Sequence, residues 1–402
     1  MRRRQGSQVW LVPTVLLFVV LPVGGAVYSA VSSSKGDEPT TAKLRRTGST
    51  NLGTKPTPLA FVEEPLSYDV TYLIERYDGD GTIHESSDRI EVRRPFSGRV
   101  EDAVPGHDPK PRVSRLGSLV LSTGAGARSL VSPPAPSTGD LRLRPVLPEA
   151  LSDHFVTVRE RRKVLGRMCQ VYRFGSSVSA GLLVPVNART GEHSDVCVDA
   201  SGIALEEAWF KAGKPLQRRI ATKLHVDVDL PDSRFELPGE EQIPFEEGNG
   251  FLRPVDPKSG FEGTTYHLAE VPAGFEYLGR YAFAPPRLNP FQSRLDEEAP
   301  RSQVSTVDIW QRGPDSLVLT QTIAADISAV PQNSLTAKPL TLGPFGSAAS
   351  VLDLRSSEVR VELPEDRFLR VSGTLSRAEL VDIAASLRAE VGTGLVFLDP
   401  TG

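Results

Sequence analysis

The residue types that could do chemistry are few and widely spaced. Cys169 and Cys197 are the chain's whole cysteine complement. They lack C-x-x-C spacing, which argues against a redox-active pair. In an exported chain the expectation is a disulfide, with two separate buried thiols as the alternative. A bridge across that loop contributes about 3–4 kcal/mol in the chain-entropy picture. His84, His107, His154, His193, His225 and His267 lie at least 23 residues apart, so no helix-spaced metal pair exists. Only folding could bring His154 to His193, and isolated surface histidines are the plainer reading. Asp227 and Asp229 flank Val228 and would share one face of a strand. Such a pair serves acid–base work or, more simply, a solvated face. Ser32 and Lys35 have nucleophile spacing, in a stretch where nothing would preorganise them. The chain has no G-x-S-x-G, Walker, dinucleotide or H-E-x-x-H motif. No catalytic residue, metal ligand or cofactor is assigned, and an enzyme is not expected.

Aromatic residues are more suggestive. Tyr68, Tyr72, Phe155, Tyr172, Phe174, Trp209 and Phe210 all fall on expected strands. Alternate strand residues face one side of a sheet. Tyr68, Tyr72, Tyr172, Phe174 and Trp209 are therefore candidates to line an apolar groove with no charged pair at its base. An ordinary filled core is the plainer alternative.

The elements that would position these residues begin with the N-terminus. Gln5 to Ser34 carries no charge and follows Arg2, Arg3 and Arg4. Val9 to Val31 is almost wholly apolar, and roughly 20 such residues span a bilayer. The arginines keep the N-terminus inside, so the rest of the chain is delivered outside the cytoplasmic membrane. Residues 1–34 are read as a single-pass anchor. A cleaved signal peptide, cut near Ala30-Val31-Ser32 and releasing the chain, is the competing reading. Residues 35–58 are polar and aperiodic, a flexible tether.

The chain's 402 residues leave room for two domains beyond the anchor. The net charge of −4 is spread along the chain, so nothing favours nucleic acid. Residues 68–77 and 82–92 are strands around Asp78-Gly79-Asp80-Gly81, a hairpin turn. Short strands are expected at 116–121 and 127–131, a helical turn or two at 147–155, and strands at 156–159, 164–174, 182–186, 194–198, 204–210 and 217–230. This pattern, with turns and hardly any helix, makes a large antiparallel sheet over residues 59–240. Residues 241–262 form a linker and 263–396 a smaller α+β domain. There strands are expected at 271–283, 302–311, 316–322, 348–355, 358–363 and 367–372, with a polar loop at 285–301. Leu375 to Leu387 is a helix, opened by a Ser376/Glu379 capping box.

The order of elements resembles the LolA/RseB (MucB) superfamily of periplasmic lipid- and lipoprotein-binding domains and sigma-factor regulators. YDVTYLIERYDGDGTIHESSDRIEV, GRMCQVYRF, CVDASGIALEEAWF and VDVDLPDSRFELP carry the likeness in the first part. VPAGFEYLGRYAF, STVDIWQRGPDSLVLTQT and VRVELPEDRFLRVSGTLSRAELVDIAASL carry it in the second. The resemblance implies a mainly β fold: a curved antiparallel half-barrel with helices or loops in its concave face, then the smaller α+β domain. It implies a binding protein of the cell envelope, a regulator or sensor whose partner is an envelope protein such as an anti-sigma factor. An acyl-chain or lipoprotein carrier is the alternative, and an envelope scaffold a third. The anchor departs from the freely diffusing regulator of this group.

Overall fold

The computed structural model describes residues 58–103, 108, 110–116, 118–123, 126–131, 139–175, 183, 186, 191–241, 252–283, 305–323, 336–364 and 367–398. The expected anchor, nearly all of the tether, the 285–301 loop and most of the 182–186 strand lie outside these residues. No helix among the described residues is long and apolar enough to cross a membrane.

The first sheet holds β1 (Ser67–Tyr77), β2 (Ile83–Arg93), β3 (Ser97–Ala103), β4 (Arg112–Arg115), β5 (Ser118–Thr123) and β6 (Gly126–Val131). After helix α1 (Leu143–Ser152) come β7 (Val156–Val164), β8 (Arg167–Phe174), β9 (Glu192–Asp199), β10 (Ala204–Lys211), β11 (Lys214–Val226) and β12 (Glu240–Glu241). Their order is β12-β6-β5-β4-β3-β2-β1-β11-β10-β9-β8-β7, and the sheet does not close into a barrel. The pairing is antiparallel except where β12 runs parallel to β6.

Alternation explains β1. Tyr68, Val70, Tyr72 and Ile74 are buried, while the residues between them are less so. The Asp-Gly turn after it closes with Gly81 at φ 91°, a conformation that favours glycine. One apolar cluster then gathers Tyr68, Val70, Ile90, Val92 and Val100 from β1–β3 with Val171, Cys197 and Leu205 from β8–β10. Ala221 of β11 joins it, so the cluster runs from strand to strand between β3 and β8.

Several expectations are corrected here. The expected strand 164–174 is split, because Leu165 and Gly166 both have positive φ and turn β7 into β8. β11 ends at Val226 and Asp227 has φ 54°, so Asp227 and Asp229 do not share a strand face. β3 and β4 were not foreseen: their sequences, SGRVEDA and RVSR, each offer one valine and no apolar alternation. Helix α1 begins at Leu143 and contains Pro148, burying Leu143, Val146, Leu147 and Ala150.

The second sheet holds β13 (Arg253–Val255), β15 (Glu276–Phe283), β16 (Ser305–Arg312), β17 (Asp315–Ile323), β18 (Ala337–Leu342), β19 (Gly346–Val351), β20 (Ser357–Leu363) and β21 (Arg367–Gly373). β14 (Gly260–His267) and β22 (Arg388–Gly394) form a separate two-stranded ribbon. β15 starts at Glu276 because Val271 to Gly274 is a turn, with the Phe275 N–H donating to the Pro272 carbonyl. Helix α2 (Arg377–Ala385) has the expected capping box between Ser376 and Glu379. Its Leu380 and Ala384 bury against Val359 and Val361 of β20 and Leu369 and Val371 of β21.

Candidate functional site

Strand register decides which candidate aromatics share a face, because directly opposed residues project from the same side. Tyr172 stands opposite Val196, Val196 opposite Glu207, Glu207 opposite Arg219, and Arg219 opposite Ile74. Two residues along, Phe174 stands opposite Ser194 and Ser194 opposite Trp209. Tyr68 and Tyr72 lie on the Ile74 side of β1 by the two-residue period. Tyr68, Tyr72, Tyr172, Phe174 and Trp209 therefore share one face.

That face is filled in two ways. Tyr172 and Phe174 are buried among Leu143, Val146, Leu147 and Ala150 of α1, with Leu352 and Leu354 from the connection between β19 and β20. The second sheet thus supplies part of the cover on the first. Tyr68 and Tyr72 belong to the other cluster, with Val70 and Ile90. Trp209 is half-buried and stands in neither.

A cleft remains beside Tyr68 and Tyr72, lined also by Asp140, Leu141, Ala204, Glu207 and Arg219. It is polar. The Arg219 guanidinium lies 3.7 Å from the Tyr72 ring centre, a cation–π stack. Tyr72 donates its hydroxyl to the Ala204 carbonyl at 2.6 Å, and Tyr68 donates to Asp140 at 2.9 Å.

Charged groups extend behind it, contrary to the uncharged base expected. Arg94 donates to both carboxylate oxygens of Asp140, at 2.7 and 2.8 Å. Glu64 stands 3.6 Å from Arg94 and 2.7 Å from Arg142. Arg142 also donates to Asp315 at 2.9 Å and to the Pro314 carbonyl at 2.6 Å, both in the β16–β17 hairpin. Burial alone would raise the Asp140 pKa. The Arg94 charge and hydrogen bonds reverse that and hold it below the ordinary carboxylate value. Burial, reinforced by Asp140, pushes the Tyr68 hydroxyl well above its usual range. Burial also raises Tyr72, against the opposing charge of Arg219. These four charges come from residues 64, 94, 140 and 142, and no sequence signal marked them as partners.

The remaining candidates lie apart. Cys169 and Cys197 form a disulfide with Cα atoms 5.3 Å apart. Cys169 is opposite Asp199 and Cys197 opposite Val171, so the bridge runs diagonally from β8 to β9 on the other face. His84 meets Asp78 at 2.9 Å near the β1–β2 turn, and His193 stacks on Phe210 at 4.8 Å. Arg280 of the second sheet donates to His267 Nδ1 at 3.0 Å, and the His267 pKa is lowered by burial and by that guanidinium. Among the described residues no cluster of three metal-ligating side chains occurs.

No known family profile matches the chain and no curated protein is similar to it. Solved structures are. MucB of Pseudomonas aeruginosa, solved with MucA, is 14% identical over 81% of this chain and 93% of its own, with a TM-score of 0.30. A LolA-superfamily protein from Nitrosomonas europaea is 11% identical over 44% of this chain and 92% of its own, with a TM-score of 0.23. A lipoprotein-sorting protein domain from Vibrio parahaemolyticus is 11% identical over 42% and 89%, with a TM-score of 0.21. At these identities and TM-scores the likeness transfers no residue's role.

Proposed function

We propose that this chain is a non-catalytic extracytoplasmic binding protein, anchored in the cytoplasmic membrane by its N-terminal apolar run. In this reading it is a regulator or sensor that recognises an envelope protein through both sheets. An anti-sigma factor is the partner class that the sequence resemblance implies. The observation that carries the choice of regulator over carrier is the cover on Tyr172 and Phe174. An acyl carrier needs an open apolar cavity. Here α1, Leu352 and Leu354 occupy that face, and the neighbouring cleft is lined by charges. The disulfide supports an oxidising compartment.

The test is crosslinking in intact cells, followed by purification of the full chain and mass spectrometry of protein and lipid together. The expected result is one stoichiometric membrane-anchored protein partner and no bound acyl chain. Stoichiometric lipid without a protein partner would instead establish the carrier, and neither would leave the scaffold.

A further inference from the structure

We propose that the β7–β8 hairpin tip docks on an anionic phospholipid surface. Between positions 159 and 167 the chain reads RERRKVLGR, five cations and one carboxylate in a protein of net charge −4. Leu165 and Met168 at this tip are 44% and 51% exposed. Leu165 also has φ 51°, a region that bulky residues seldom adopt. The turn does not need it. The β10–β11 hairpin makes a similar left-handed pair from Ala212 and Gly213, at φ 49° and 77°. A strained, exposed leucine that the turn does not require calls for another use.

The collar supplies the complementary charge. Arg162 pairs with Glu160 and Glu206, and Arg167 pairs with Asp199. Among the described residues no carboxylate pairs with Arg159 or Lys163, and both are exposed. Lys163 stands opposite Met168 in the β7–β8 register, so an ammonium and an apolar chain project side by side. Among the described residues β7 ends the sheet order, so none of their strands covers this edge. Two apolar side chains inside a cationic collar match a bilayer interface: the apolar pair enters the acyl boundary while the cations meet phosphates. An N-terminal anchor would hold the tip near such a surface, but the chemistry of the tip stands without one.

The experiment places the full chain with nanodiscs of phosphatidylcholine alone, or with one third phosphatidylglycerol, and reads amide hydrogen exchange at residues 163–168. Protection is expected in the anionic discs. It should disappear at about 0.5 M salt, where the collar's field is screened. Leu165→Ser with Met168→Ser should abolish it, with thermal unfolding like the parent's. Lys163→Ala should reduce the preference for anionic over neutral discs about fivefold. Retention of the whole protein by neutral discs reports the anchor separately. The proposal is overturned by equal exchange in both discs, by protection that survives the double substitution, or by protection that only an acidic polypeptide produces.

Discussion

Glu64 and Arg142 meet at 2.7 Å with both side chains 2% exposed. Glu64 belongs to the segment that leads into β1, and Arg142 reaches from the start of α1 to Asp315 in the second sheet. Their contact makes the incoming chain part of the lock between the two sheets. Phe61 of the same segment packs on the α1 cluster, and the Pro65 carbonyl accepts from Arg94.

Removing one partner of a buried ion pair leaves the other charge unpaired, at a cost of roughly 3–5 kcal/mol. Arg142 retains Asp315, so Glu64→Gln should lie at the low end, about 3 kcal/mol in urea unfolding. A loss below about 0.5 kcal/mol would mean that Glu64 is solvated in solution, as surface pairs are.

Asp88 offers a pH signature. It stands opposite Asp102 across β2 and β3, and its pKa is pushed up to about 6. Burial is the main cause, and Asp102 adds to it against the opposing charges of Arg219 and Arg112. An unfolded aspartate titrates near 4. Between about pH 4 and 6 the folded state therefore holds a proton that the unfolded state has released. Stability from this group falls as pH rises through that window and levels off above it. Asp88→Asn keeps the uncharged form at every pH. Its melting temperature should rise relative to the parent's between pH 4 and pH 7. A constant difference across that range would show that Asp88 titrates normally.

The disulfide prediction follows from chain entropy. Cys169 and Cys197 are 28 positions apart, a loop whose closure contributes about 3–4 kcal/mol. Cys169→Ala should cost about as much as Cys169→Ala with Cys197→Ala, because either change opens the same loop. Non-reducing peptide mapping should join the two cysteines. Two alkylatable thiols in freshly isolated protein would contradict it.

What the sequence disclosed divides along physical lines. Period-two patterns such as Tyr68-x-Val70-x-Tyr72 and turn residues such as Asp78-Gly79 are local, so β1 and β2 could be read directly. The Ser376/Glu379 box marked α2 for the same reason. β22 could not be read this way: RAEVGTG is polar and, among the described residues, its strand pairs with β14, more than 120 positions earlier. The site shows the same division. The candidate aromatics fall on one face because alternation is local. That face's cover depends on Leu352 and Leu354, about 180 residues after Tyr172, and its charges on pairs such as Arg94 and Asp140. Such contacts are fixed by the fold and leave no pattern in the chain.

The cover itself can be tested by removing part of it. Leu354 is 1% exposed, packs in the cluster that contains Tyr172 and Phe174, and accepts the Arg142 backbone N–H through its carbonyl at 2.9 Å. Leu354→Ala keeps that backbone bond and deletes the buried side chain, at about 2–5 kcal/mol. A charge at Tyr172 would be a poorer probe: the residue is fully buried, so Tyr172→Asp should unfold the domain before it reports on binding. If α1, Leu352 and Leu354 keep the aromatic face closed, a fluorescent fatty acid should bind the parent weakly and the folded Leu354→Ala variant more tightly. The gain should disappear when Phe174→Ala is added, since the ring that the opened cover exposes is then gone. A parent that already binds the fatty acid as tightly as Leu354→Ala would show that the face opens by itself. The carrier reading would then displace the regulator.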